Sequence, residues 1–225
     1  QPQEMATHAM FRKNPEAVWA WYLYRRNVCS HAEPNPGHDA VVALEDLYGE
    51  HFRLVTQNVD GLHLRAGNTR KRTYQIHGNI NFARCDDIGC NQQVRLLPES
   101  LGMGRSKGSM LTVDECACLQ CPECGGWIRP HILWFDECYD EHDFYYDSSI
   151  TAAASASILL VVGTSGATSL PVYVGGLAAE NGALIIDVNP EPNPFSRLAE
   201  STGGLFIRGK GSTVLPSIVD QISHV

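Results

Sequence analysis

The chain is 225 residues long, which at roughly 150 residues per domain is one domain with an excursion, or one domain plus a small second unit. Hydrophobic residues make up 44% and charged residues 19%, with 20 Gly and 12 Pro, a balance that excludes disordered, collagen-like and coiled-coil chains. Lys and Arg number 17 against 25 Asp and Glu, and the net charge of -8 argues against bulk electrostatic binding to nucleic acid or anionic lipid.

The N-terminal stretch QPQEMATHAMFRKNPEAV carries two acidic residues and lacks the charged-then-apolar layout of a secretory signal. Asn14-Pro15-Glu16 has the order of an N-cap, a first-turn proline and a first-turn acid, so a helix is predicted from there to about Cys29. A second is predicted over 38–47, opened by the turn residues Pro34-Asn35-Pro36-Gly37 and closed by Gly49. The period then changes. FRLVT (52–56), TYQIH (73–77), ILLVVG (158–163), ALIIDV (183–188) and LFIRG (205–209) read as short buried strands suited to a parallel sheet. Helical stretches over 169–180, 194–201 and 212–222 alternate with the last three, which predicts a doubly wound, Rossmann-like α/β fold. Residues 80–131 break the alternation, hold six of the eight cysteines and contain PESLGMGRSKGS, a run of loop chemistry; they read as an inserted zinc module, leaving 1–79 and 132–225 as the Rossmann-like domain. No apolar run approaches the ~18 residues of a membrane helix, so no membrane partner is expected.

Of eight cysteines, Cys85 and Cys90 form one close pair and Cys121 and Cys124 a second, as C-P-E-C, while Cys29, Cys116, Cys118 and Cys138 fit no even disulfide framework. Two such pairs on facing turns can supply the four thiolates of a closed, structural Zn(II) site, and free thiols imply a reducing compartment. Cys118 with Cys121 is an equally spaced alternative; Cys121 with Cys124 is preferred because Gly125-Gly126 follow and can turn backbone amides toward sulfur.

Four segments carry further chemistry. T-Q-N-V-D-G-L-H (56–63) follows a strand, where amides and a carboxylate can read sugar hydroxyls, although the segment alone reads as readily as an Asx-rich turn before a helix. His77 ends another strand and precedes a glycine; one histidine by itself is more often structural than catalytic. V-V-G-T-S-G-A-T-S (161–169) leads a strand into small residues whose backbone amides suit phosphate or ribose, without a GxGxxG or a P-loop lysine. I-D-V-N-P-E (186–191) places an acid and an amide at a strand end.

In this order along the whole chain, TQNVDGLH, the IHG histidine, the paired cysteines, RPHILWFDE, GTS and NPE resemble the sirtuin family of NAD-dependent protein deacylases. The resemblance implies that His77 is the general base, and that Gln57, Asn58, Val59 and Asp60 surround the nicotinamide and its ribose. It places Gly163, Thr164 and Ser165 in the cofactor turn, Asn189, Pro190 and Glu191 at the adenosine ribose, and Gly211 at adenine. Cys85, Cys90, Cys121 and Cys124 match the zinc ligands. HILWFDE (131–137), with Ile132, Leu133, Trp134 and Phe135, looks like the strand that pairs with an acyl-lysine peptide.

A narrower resemblance lies in W-Y-L-Y-R-R (21–26). Tyr22 and Arg25 look like the pair with which class III sirtuins select succinyl, malonyl or glutaryl lysine, and Ala6 like the small residue that widens their acyl pocket. The i, i+3 spacing puts both side chains on one helical face, where a guanidinium and a phenol can hold a carboxylate; outside the family frame they read as a surface pair. The family chemistry has the acyl oxygen attack the ribose carbon that nicotinamide leaves, with the histidine taking a ribose hydroxyl proton; a base titrating near 7 suits that step.

The family's opening strand, Gly-Ala-Gly-x-Ser loop and Pro-x-Phe-Arg segment have no counterpart in this sequence, which therefore reads as N-terminally truncated. Weak NAD binding and a tendency to aggregate are expected of it on that account. The expected partners are NAD, one Zn(II) and acyl-lysine proteins, with no nucleic acid; a cytoplasmic monomer is expected, or a mitochondrial one if a presequence precedes the chain.

Overall fold

The computed structural model describes residues 2–223. Its elements run α1 (Pro2–Met5), α2 (His8–Lys13), α3 (Pro15–Ser30), α4 (Pro36–Tyr48), β1 (Leu54–Thr56), α5 (Leu62–Ala66), β2 (Thr73–Gln75), β3 (Gly78–Cys85), β4 (Arg95–Leu96), α6 (Val113–Cys118) and β5 (Ile128–Ile132). They continue with α7 (Glu141–Phe144), α8 (Tyr146–Ser155), β6 (Ile158–Val162), α9 (Ser169–Glu180), β7 (Leu184–Asn189), α10 (Pro194–Ser201), β8 (Leu205–Arg208) and α11 (Gly211–Ser223). Two compact units share them, one of residues 1–33, 56–61 and 75–139, the other of 34–55, 62–74 and 140–225.

In the first unit α3 starts where its cap dictates: the Asn14 side chain accepts from Ala17 N at 3.0 Å and Pro15 opens the first turn. Val18, Trp19, Tyr22, Leu23 and Arg26 form its buried face, a helical stripe that packs on β3 and β5 with Phe11, Ile80, Ala83, Leu119, Ile128 and Trp134. Trp19 is almost wholly enclosed and spends its ring N–H on Ile128 O at 2.7 Å. Burial of Arg26 is offset by donation to the carbonyls of Pro98 and Leu101 and to Asn81 Oδ1. The strands form an antiparallel sheet of order β4-β3-β5, with Arg84 opposite Arg129 and Cys85 opposite Ile128. Near its start Gly78 takes φ 82°, and a Cβ there would lie 2.0 Å from His131 O; only glycine lets the two backbones approach so closely.

In the second unit β6, β7 and β8 form a parallel sheet in that order, with Val162 opposite Val188 and Asn189 opposite Arg208. Helices α9 and α10 pack on β7, and α11 packs on α4 over Ala40, Val41, Val188 and Leu215. Glu45 on α4 is buried but satisfied, accepting from Asn68 Nδ2 at 2.8 Å and from Thr69 Oγ1 at 2.5 Å. Burial pushes its carboxyl up, and these hydrogen bonds outweigh that and hold it below the usual range.

The α/β class and the elements that the sequence predicts are found, while α1, α2, α6 and the antiparallel strands β3, β4 and β5 come in addition to them. The runs at 52–56 and 73–77 supply β1 and β2, which pair with each other and are not hydrogen-bonded to β6-β7-β8. The helices α7 and α8 were not anticipated: Asp140 caps the first, accepting from Asp143 N at 2.7 Å, and Tyr145 joins the two in a left-handed conformation. Among the described residues no helix is long and apolar enough to cross a membrane.

Candidate active site

In the first unit the loop 56–61 is fastened at successive positions. Ile76 N donates to Thr56 O, Asn58 N to Thr56 Oγ1, and Ile80 N to Val59 O. Between these ties the carbonyl of Gln57 points at His77 Nδ1, 3.1 Å away. A carbonyl only accepts, so Nδ1 carries the proton and Nε2 carries the lone pair. Burial, only partly opposed by the Gln57 carbonyl, holds the His77 pKa below its ordinary value, so the ring is neutral at pH 7. Nε2 lies 2.8 Å from the Tyr139 hydroxyl, and the two rings stack at 5.9 Å with a 29° tilt. His77 is thus built as a base of fixed tautomer. Asn58 is exposed and Asp60 half-buried on the same loop.

The segment after β5 departs from the expected strand. Pairing with β3 ends at Ile132, and the backbone N–H groups of Leu133, Trp134 and Phe135 are already spent on His77 O, Glu137 Oε2 and Ala6 O, at 3.1, 2.9 and 3.0 Å. A peptide therefore cannot draw on those three donors as a ladder partner would. Trp134 is enclosed: the Arg129 guanidinium lies over its ring at 3.6 Å and its indole N–H donates to Tyr22 Oη at 2.8 Å. Arg129 also pairs with Glu137, whose carboxyl it holds low against the upward push of burial. Phe135, by contrast, is exposed.

Tyr22 is 2% exposed, and burial pushes its phenol up to about 12, so it remains a hydrogen-bond donor across the physiological range. Arg25 is half-buried with its guanidinium 4.7 Å from the centre of the Trp21 ring, and among the described residues it makes no hydrogen bond or ion pair. The adjacent Arg26 is the structural arginine of the pair. Ala6 is buried, its carbonyl tied to Phe135 N.

The cysteines divide as expected. Sγ atoms of Cys85, Cys90, Cys121 and Cys124 all lie within 4.8 Å of one another, with Cys85 to Cys124 at 3.5 Å and Cys90 to Cys121 at 3.7 Å. A tetrahedron of ~2.3 Å Zn–S bonds has edges of about 3.8 Å, so the donor set fits zinc. Cys118 stands outside the cluster. Backbone amides do face the sulfurs, but they come from Cys124 and Glu123 for Cys121, lowering that thiol to about 7, rather than from the two glycines. Gly125 instead turns the chain at φ 73°, its N–H returning to Cys121 O.

In the second unit the three remaining clusters follow the carboxyl ends of three adjacent parallel strands: Gly163-Thr164-Ser165 after β6, Asn189-Pro190-Glu191 at the end of β7, and Gly211 beyond β8. Such an edge is where open α/β sheets hold ligands. Gly163 takes φ 64° with open space at its Cβ position, whereas a Cβ on Gly211 would meet Val162 Cγ1 at 2.7 Å. These small residues, backbone groups and an amide fit the sugar and base of a dinucleotide. Asn189 donates to Thr164 O at 2.8 Å and so shapes the first turn. Glu191 is paired with Arg208 at 2.8 Å at the surface, and a sugar would have to compete for it.

A dinucleotide-type edge in one unit, with a fixed-tautomer histidine and a four-thiol cluster in the other, defines an α/β enzyme that joins nucleotide chemistry to a structural metal. The chain belongs to the Sir2 family, whose profile matches residues 1–169. It is 42% identical over 220 residues to an NAD-dependent protein deacylase of Leptospira interrogans serogroup Icterohaemorrhagiae serovar Lai, covering 98% of this chain and 80% of the relative. A crystal structure of a Sir2 homologue–NAD complex superposes with a TM-score of 0.82 at 28% identity, over 100% of this chain and 78% of the other. The structure of Sir2Af2 bound to a myristoylated histone peptide gives 0.74 at 27% identity, over 99% and 86%.

Proposed function

We propose that this Sir2-family enzyme, an NAD-dependent protein deacylase, acts on lysines carrying acidic acyl groups of the succinyl, malonyl and glutaryl type. One observation carries the reading: Trp134 fills an acceptor position of the Tyr22 hydroxyl, which leaves the phenol's own hydrogen for another acceptor, and Arg25 three residues on has no anionic partner among the described residues. A carboxylate suits both.

The remaining roles follow this chain's residues. NAD supplies the ribose carbon that receives the acyl oxygen. His77, neutral and with its lone pair on Nε2, takes the proton of a ribose hydroxyl. Gln57 holds the ring through its carbonyl, while Asn58, Val59 and Asp60 bear on the nicotinamide side. Gly163, Thr164, Ser165, Asn189, Pro190, Glu191 and Gly211 hold the adenosine portion. Ala6, Ile132, Leu133 and Phe135 flank the acylated lysine. Cys85, Cys90, Cys121 and Cys124 hold one structural zinc.

Nicotinamide release from matched succinyl-lysine and acetyl-lysine peptides tests the specificity. The succinyl peptide is expected to be preferred by tenfold or more, about the effect of one charge-assisted hydrogen bond, and Arg25→Met should remove the preference. Equal turnover of both peptides, unaltered in the variant, would reduce the reading to a plain deacylase.

A further inference from the structure

His77 has a second partner that no motif announces. Its Nε2 offers a single in-plane lone pair, and the Tyr139 hydroxyl stands on it at 2.8 Å. The geometry is that of a donor to a neutral imidazole, because Gln57 O already claims the proton at Nδ1. A base whose only lone pair is occupied cannot accept a second proton donor. A hydroxyl arriving to be deprotonated must take the place that the phenol holds.

We infer that Tyr139 caps the base in the free enzyme, its hydroxyl occupying the position a ribose hydroxyl must take, so that cofactor binding displaces Tyr139 from His77. The inference rests on His77 being the base, as proposed above. Tyr139 lies on the connection between β5 and α7, outside any strand or helix, so its displacement breaks no ladder. The ring stacking keeps the tyrosine beside His77 and makes its return local. In this arrangement Tyr139 is a positioning residue: it selects the reactive tautomer and shields Nε2 until a hydroxyl replaces it. Among the described residues, Gln57 from the loop after β1 and Tyr139 hydrogen-bond to the ring; the first is uncharged and the second titratable.

The test compares wild type with Tyr139→Phe, which keeps the stacked ring and removes the hydroxyl. Diethyl pyrocarbonate attacks an uncovered neutral imidazole, and carbethoxylation of His77 in the free protein is followed by mass spectrometry. Y139F is expected to react about fivefold faster, the effect of one net hydrogen bond; an unchanged rate overturns the cap. With turnover as a second readout, the change should fall on KM for NAD, which drops, more than on kcat. The acid limb of kcat/KM should move to higher pH, because a donor to the neutral ring has been lost. A fall in kcat at constant KM overturns the cap and places the hydroxyl in the reaction itself. Should Y139F not fold, 3-fluorotyrosine incorporated into wild type strengthens the donor and should lower the His77 pKa seen by NMR; no shift overturns the proposal. The labelling and NMR readouts need no turnover, so a confirmed cap in a protein that releases no nicotinamide would refute the deacylase reading alone.

Discussion

The indole N–H of Trp134 donates to the phenol oxygen of Tyr22 at 2.8 Å, across 112 residues of sequence, and neither side chain is more than 2% exposed. Trp134 is itself held by Arg129, whose guanidinium lies over its ring at 3.6 Å, so the phenol is aimed by a chain of three packed groups. Tyr22→Phe removes one donor and leaves the indole N–H buried without its acceptor. The expected cost is about 1.5–3 kcal/mol in the transition state for a carboxylate-bearing substrate, or roughly 10- to 100-fold in kcat/KM. Turnover of an acetyl-lysine peptide by the same variant should change much less. Equal losses on both substrates would show that Tyr22 serves only the core.

A second expectation concerns Gly78. Its φ of 82° and the 2.0 Å that would separate a Cβ from His131 O leave no room for alanine. Gly78→Ala must part β3 from β5 or rotate the peptide that carries His77. A destabilisation above about 2 kcal/mol is expected, seen as a lowered melting temperature, together with loss of turnover. A variant with wild-type stability and activity would remove the argument that this glycine positions the histidine.

Much of this was legible in the chain itself. The Asn14-Pro15 start of α3, the strands ending at Val162 and Asn189, and the grouping of Cys85, Cys90, Cys121 and Cys124 follow from local chemistry: a cap, an apolar run, a thiol spacing. What stayed hidden depends on contacts distant in sequence. Tyr139 meets His77 across 62 residues and sits in no motif. Arg25 and Arg26 are identical in type, and only the phase of α3 sends the second inward to the carbonyls of Pro98 and Leu101 while the first lies on Trp21. The strand expected to run through Phe135 ends at Ile132 because the next three N–H groups have partners within the protein.

The pH dependence follows from the depressed pKa of His77. An unfolded histidine titrates near 6.5. Because burial lowers the folded value, the unfolded chain binds more protons between the two values, and stability rises with pH there. The contribution is therefore complete above about pH 6.5 and is lost as pH falls through the folded value. Activity obeys the same sign, since only the neutral ring accepts a proton: the acid limb of kcat/KM should lie below about 6.5. A pH–rate profile measures it directly, and a limb well above 7 would mean that the titrating base is another group or that His77 is solvated.

The thiol cluster gives the last expectation. Burial pushes Cys85 up to about 12 while backbone amides draw Cys121 down to about 7, so without a cation the four sulfurs cannot all be thiolates at neutral pH. A divalent ion supplies the charge that deprotonates them, and structural zinc contributes on the order of 10–16 kcal/mol at pH 7 in small sites. In this protein Cys85 ends β3 opposite Ile128 of β5, so the cluster fastens the far end of the same strand pair that begins beside His77. Protein purified without chelator should carry one zinc per chain by elemental analysis. Its removal, or Cys121→Ser, should lower the melting temperature and reduce turnover through that shared strand pair, with activity returning on readdition of zinc to the wild-type chain. Metal-free protein of undiminished stability would mean that the packing of α3 on β3 and β5 suffices to hold the unit.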